Sequence, residues 1–128
     1  MSTLDDAAAM AMRLPEVTEG AKFRHRTWFV DGKGFAWERP FSKADIKRFG
    51  TATPPDGPIL AIKTADLGEK EAIIAANPVA FFSIEHFAGY PAVLVNLPKI
   101  TKKALNEAII DGWLACAPPK LAEAYLKR

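Results

Sequence analysis

The stretch Gly89-Tyr90-Pro91-Ala92-Val93-Leu94-Val95, continued by Trp113-Leu114-Ala115-Cys116-Ala117-Pro118-Pro119 and running on to Tyr125, decides the fold. It reads as a turn, a buried strand and an amphipathic helix stopped by prolines. The helix start falls at Thr101, a capping residue, and Leu105, Ile109, Trp113 and Cys116 form one apolar stripe. After Pro118-Pro119 a short final helix carries Leu121, Ala124 and Tyr125. Almost nothing in this third of the chain can do chemistry.

Working back towards the N-terminus, Val79 to His86 and Ala92 to Leu97 are expected to pair as strands around Gly89-Tyr90-Pro91. Asp66 with Glu69 caps a helix reaching Asn77, where Pro78 stops it. Ile59-Leu60-Ala61-Ile62 is a strand, and the proline-rich run from Thr51 to Pro58 is a loop too short to separate two domains. Ser42 with Asp45 starts a short helix that Gly50 ends. Lys22 to Val30 and Lys33 to Arg39 flank Asp31-Gly32, a strong hairpin signal because both central residues of a type I′ turn need positive φ. Thr3 with Asp6 opens a first helix whose Leu4, Ala7, Ala8, Ala11 and Leu14 share a face. Tight turns make strands antiparallel, so the expected architecture is a single α+β domain spanning residues 1–128: two layers, with helices on one face of an antiparallel sheet.

Composition narrows the class further. A chain of 128 residues buries roughly two thirds of its unfolded surface. Apolar runs such as Ala72-Ile73-Ile74-Ala75-Ala76 fall far short of the ~20 residues a bilayer demands, so no membrane role is expected. Asp5 and Asp6 stand where a secretory signal would carry lysines, and the single cysteine, Cys116, allows no internal disulfide. A cytoplasmic location follows as the expectation.

No catalytic residue, metal site or cofactor is expected. His25 and His86 are the only histidines, and no carboxylate lies at ligand spacing from both. Ser83-Ile84-Glu85-His86 invites a nucleophile reading, but alternation along a strand sends Ser83 and His86 to opposite faces. Gly32-Lys33-Gly34 lacks the third glycine and the long helix of a dinucleotide loop. The protein therefore reads as a non-enzyme.

Charge offers the better lead. The chain totals +2, yet Lys22, Arg24, Arg26, Lys33, Arg39, Lys43, Lys47 and Arg48 oppose only Asp31, Glu38 and Asp45 within one segment. With Val30 opposite Lys33, a regular hairpin sets Arg26 against Trp37 and Arg24 against Arg39, and puts Trp28, Phe35 and Trp37 on one face. Basic groups beside aromatic ones suit a phosphate backbone, so weak, salt-dependent DNA binding through these eight residues is the first functional expectation. A solvated basic hairpin with no nucleic-acid role is the plainer alternative. Lys99, Lys102 and Lys103 form a second cluster against the dipole of the long helix, which reads either as accident or as a bound anion at that end.

Four blocks together resemble the MmcQ/YjbR family of small bacterial proteins. They are Leu14-Pro15-Glu16-Val17-Thr18-Glu19-Gly20, Gly32-Lys33-Gly34-Phe35-Ala36, Gly89 to Val95, and Trp113 to Leu121. The resemblance implies a two-layer α+β fold like that of frataxin or the secretion chaperones. It also implies DNA binding, by analogy with a double-wing arrangement of hairpins, and brings no catalytic residues with it. Gly34 departs from the commoner aliphatic residue, implying a looser first hairpin. A protein- or ligand-interaction domain on a chaperone-like fold is the alternative function.

Overall fold

A computed structural model describes residues 1–128. Along the chain run α1 (Leu4–Met12), β1 (Thr18–Lys22), β2 (His25–Val30), β3 (Lys33–Glu38), α2 (Lys43–Arg48) and β4 (Ile59–Lys63). Then come α3 (Leu67–Ala76), β5 (Phe81–Phe82), β6 (Ala92–Asn96), α4 (Lys102–Cys116) and α5 (Pro119–Lys127). The strands form one six-stranded sheet, wholly antiparallel, in the order β1-β2-β3-β4-β6-β5.

The starts of the helices are written in local chemistry. Thr3 and Asp6 bond each other's backbone amides, as do Ser42 and Asp45, while Thr101 accepts from the Ala104 amide and Asp66 from that of Glu69. α1 and α4, with side chains from α3 and α5, cover one face of the sheet. There Trp28, Phe35, Val93, Val95, Leu105, Ile109 and Trp113 are all buried in the main core. The Trp113 indole donates to the Pro15 carbonyl at 3.1 Å, tying α4 to the turn after α1. Cys116 lies in the same core, and burial pushes its thiol above its ordinary pKa, as suits a packing residue.

The other face carries a smaller cluster of Ile59, Ala61, Phe87, Ala92 and Leu94, with Trp37, Phe41, Phe82 and Ile84 packed against it. The short α2 and a 3-10 turn at Glu85–Phe87 cover part of that face.

Three local expectations need correction. The run Lys22 to Val30 is not one strand: it breaks at Phe23 and Arg24, whose φ values of 54° and 68° make the turn of an additional hairpin between β1 and β2. The Asp31-Gly32 turn forms as expected, but the register beyond it slips. Trp28 pairs with Ala36 and Phe29 with Gly34, so Phe35 is an extra residue bulged out of β3. One inserted residue inverts the facing of every later side chain in the strand, because side chains alternate with a period of two. Phe35 and Ala36 thus both enter the main core, and Trp37 turns to the opposite face. Arg26 consequently does not face Trp37, nor Arg24 Arg39; Thr27 pairs with Trp37 instead. Finally, Val79 to His86 is a strand only at Phe81–Phe82, because the chain then leaves the sheet edge to bury Phe87 under the second face. Ser83 lies beyond that strand, and its hydroxyl donates only to the Ile84 carbonyl at 3.4 Å.

Candidate functional site

The register slip creates a cleft. With Trp37 turned away from the main core, the second face gains an aromatic floor of Trp37, Phe41, Phe87 and Tyr90. Phe87 stacks edge-on to Tyr90 with ring centres 5.6 Å apart, and Trp37 lies 6.4 Å from Phe87. Thr27 and Gly34 complete the base, and the absence of a side chain at Gly34 keeps it open beside the Thr27 methyl. The volume is about 680 Å³, within the range of small-molecule sites. Phe23, 85% exposed at the tip of the β1–β2 turn, stands at the mouth.

Polar groups converge on this floor. His25, Glu38, Arg39 and His86 line the cleft together with Lys22. The two histidines, far apart in sequence, therefore meet one cavity. His25 Nδ1 lies 3.9 Å from Glu38 Oε1. No group of three or more His, Cys, Asp or Glu side chains is placed to hold a metal ion.

Two buttresses fix the walls. Arg39 Nη1 donates to the Pro40 carbonyl at 2.6 Å and to Asp45 Oδ2 at 2.9 Å, while its guanidinium lies 5.5 Å from the Phe87 ring centre. Asp45 is 3% exposed. Burial raises its pKa, but the Ser42 amide and the Arg39 guanidinium outweigh that and hold it below the ordinary value. On the other wall, buried Lys70 reaches from α3 to donate to the carbonyls of Phe87 at 2.6 Å and Tyr90 at 2.8 Å. No carboxylate joins it, so desolvation lowers its pKa. Sequence reasoning passed over Lys70, although its spacing from Ile73 and Ile74 put it on the helix's apolar face.

The eight basic residues do not share one surface. Arg26 is engaged by Glu19 at 2.9 and 3.2 Å and by Asp5 at 3.1 Å, and Glu19 also accepts from the Trp28 indole at 3.0 Å. The Arg26 hydrogen bonds foremost draw the Glu19 pKa down. Arg39 is paired with Asp45 through Nη1 alone, and Arg48 lies 3.9 Å from both Asp45 and Glu85. Lys33 sits at the opposite end of β2 from Lys22 and Arg24. Lys22, Arg24, Lys43 and Lys47 remain exposed at the cleft end of the sheet. In the second basic cluster, Lys102 comes within 4.0 Å of Asp6.

These features define an α+β protein with a helical layer on one face of an antiparallel sheet and a ligand-sized cleft on the other. The model of the YjbR family matches residues 12–115, and the chain belongs to that family. It is 42% identical to the uncharacterized protein Rv2570 of Mycobacterium tuberculosis and to Mb2600 of Mycobacterium bovis, over 98% of this chain and 97% of each relative. The crystal structure of Deinococcus radiodurans protein DR2400, which carries a DUF419 domain, superposes with a TM-score of 0.65. That match covers 99% of this chain and 87% of the other at 21% identity, and so speaks to the fold. No helix is long and apolar enough to cross a membrane.

Proposed function

We propose that the protein is a non-enzymatic binding module whose working surface is the cleft on the second face of the sheet. The observation that carries this reading is the convergence of Trp37, Tyr90, His25, His86 and Arg39, from three separate regions of the chain, on one cavity. A mostly apolar floor with a few polar groups is the usual make-up of a small-molecule site. Both aliphatic hydroxyls of the cleft have structural bonds: Thr27 donates to the His25 carbonyl at 3.1 Å, and Ser42 accepts from the Asp45 amide to cap α2. This leaves no nucleophile paired with a base, which supports binding over covalent catalysis.

Titration of the isotopically labelled protein with a chemically diverse fragment library tests the proposal. Binding fragments should move the amides of Thr27 and Gly34 and the Trp37 indole together. Shifts scattered over the surface, or confined to the helical face, would refute it.

DNA binding is the second reading, favoured by the four exposed cations Lys22, Arg24, Lys43 and Lys47 at one end of the sheet. It draws on half of the eight residues the sequence suggested.

A further inference from the structure

We infer that the cleft takes a small planar aromatic molecule carrying an anionic group, an inference that rests on the binding reading above. The ring would lie against Trp37 and Tyr90, with Phe23 closing over its outer edge. The anionic group would meet Lys22 and the free edge of Arg39.

The aromatic half follows from the floor. Tyr90 is 42% exposed although its neighbour Phe87 is buried, so one aromatic face beside the cluster is left to solvent. Lys63 Nζ lies 4.6 Å from the Tyr90 ring centre, and Lys70 ties down the backbone that carries the ring through the Phe87 and Tyr90 carbonyls. A flat, rigid, half-covered aromatic surface suits stacking with another flat ring.

Phe23 gives a second, independent sign. Both residues of the β1–β2 turn are non-glycine and left-handed, a conformation that costs about 1–2 kcal/mol for each. Asn-Gly would make the same turn without strain. The strain holds an aromatic ring in solvent at the mouth of an aromatic cleft, an arrangement that packing in the free protein does not explain.

The anionic half follows from charge. Lys22 and Arg39 line the cleft, where Glu38 is the only lining carboxylate and is approached by His25 at 3.9 Å; Asp45 pairs with Arg39 from behind the wall. Arg39 spends only Nη1 on Pro40 and Asp45, so Nε and Nη2 retain hydrogens to give. Its fork is held rigid by the buried Asp45, which preorganises it for a carboxylate or phosphate. Aromatic carboxylates and nucleoside monophosphates both carry this chemistry.

The test compares 2-naphthoate, its neutral analogue 2-naphthalenemethanol, and adenosine monophosphate, with binding followed by calorimetry and by the Trp37 indole resonance. At least one of the two anions should bind at the cleft, and the relative affinities of naphthoate and the nucleotide identify which anionic ring is preferred. The alcohol should bind about tenfold or more weakly than the naphthoate. Phe23→Gly, which relieves the left-handed strain, and Tyr90→Ala should each weaken the better anion about fivefold or more while the protein stays folded. Lys22→Gln should weaken both anions and leave the alcohol unaffected. Equal affinity for naphthoate and the alcohol would overturn the anionic assignment. Failure of every ring, while other fragments still move Thr27 and Trp37, would overturn this inference and leave the binding module standing. Failure of all fragments at the cleft would remove both.

Discussion

Gly112 of α4 lies so close to Ile62 of β4 that a Cβ on the glycine would sit 2.6 Å from the Ile62 methyl Cγ2. The backbone carbonyls of Phe35 and Lys63 close the same gap at 3.3 Å. Two of these three contacts are backbone, and Ile62 is buried, so the neighbours have little freedom to yield. α4 can rest directly on the sheet only because this position lacks a side chain.

Gly112→Ala should therefore destabilise the protein. An ordinary helix interior would gain about 1 kcal/mol from the change. Overpacking against Ile62 should cost about 1–3 kcal/mol and overcome that gain. Thermal melts settle the sign, and a variant more stable than wild type would show that α4 can lift away without penalty.

Trp113, the next residue, is fully buried and bonded to the Pro15 carbonyl. Trp113→Ala should cost about 3–5 kcal/mol, enough to threaten a domain of ordinary stability. Trp113→Phe keeps much of the volume but leaves the Pro15 carbonyl without this donor, and should cost measurably less. Denaturant unfolding of the pair separates packing from the hydrogen bond; equal losses would contradict that division.

Most of the fold was legible because its signals are local. Capping residues marked the helices, the spacing of Leu105, Ile109, Trp113 and Cys116 gave the core stripe, and Asp31-Gly32 gave one hairpin. The features that escaped depended on tertiary contacts. Phe23-Arg24 carries no turn residue, so the first hairpin was silent, and exposed β1 offers no alternation of apolar and polar residues. The Phe35 bulge depends on the pull of the main core, and one inserted residue redirected Trp37 from core wall to cleft floor. The cleft was therefore hidden although nearly every residue type in it had been noticed. Lys22 and Arg39 were noticed for charge and His25 and His86 for chemistry, but no sequence pattern placed them together.

Asp45 should make stability acid-sensitive. Its folded pKa is depressed, so its contribution is complete above the unfolded value and is lost as pH falls through the folded one. Asp45→Asn should destabilise the protein by about 1–3 kcal/mol at neutral pH, since Arg39 then lacks its charged partner. Variant and wild type should converge only once the pH falls below the lowered folded value, where the carboxylate is protonated in both states. Urea unfolding across the acid range checks this, and a pH-independent difference would count against it.

Lys70 should act in the same direction, at the alkaline end of the scale. Its folded pKa lies below the ordinary lysine value of 10.5, so the unfolded chain binds the proton more tightly. Stability relative to Lys70→Met should then rise with pH in the window between the lowered folded value and 10.5. The neutral amine still has two hydrogens for the Phe87 and Tyr90 carbonyls. Paired melts of both proteins at neutral and alkaline pH measure the trend. A difference falling with pH would mean that the charged form is the favoured one.

The four exposed cations without a carboxylate partner on the Lys22 side of the fold, Lys22, Arg24, Lys43 and Lys47, set the scale of DNA binding. Each phosphate neutralised contributes about −0.9 to the slope of log affinity against log salt. Lys22, Arg24, Lys43 and Lys47 together then allow a slope of roughly −3 to −4, with dissociation constants micromolar or weaker at physiological salt. Arg24→Ala should flatten the slope by about 0.9 and weaken all duplex sequences alike, because a phosphate contact carries no sequence information. Arg26→Ala should leave the slope nearly unchanged and instead lower stability slightly, since its guanidinium is spent on Glu19 and Asp5. Fluorescence anisotropy on two unrelated duplexes over a salt series reads all of this. A slope changed by Arg26→Ala and untouched by Arg24→Ala would show that the Glu19 pairing opens to admit the phosphate backbone.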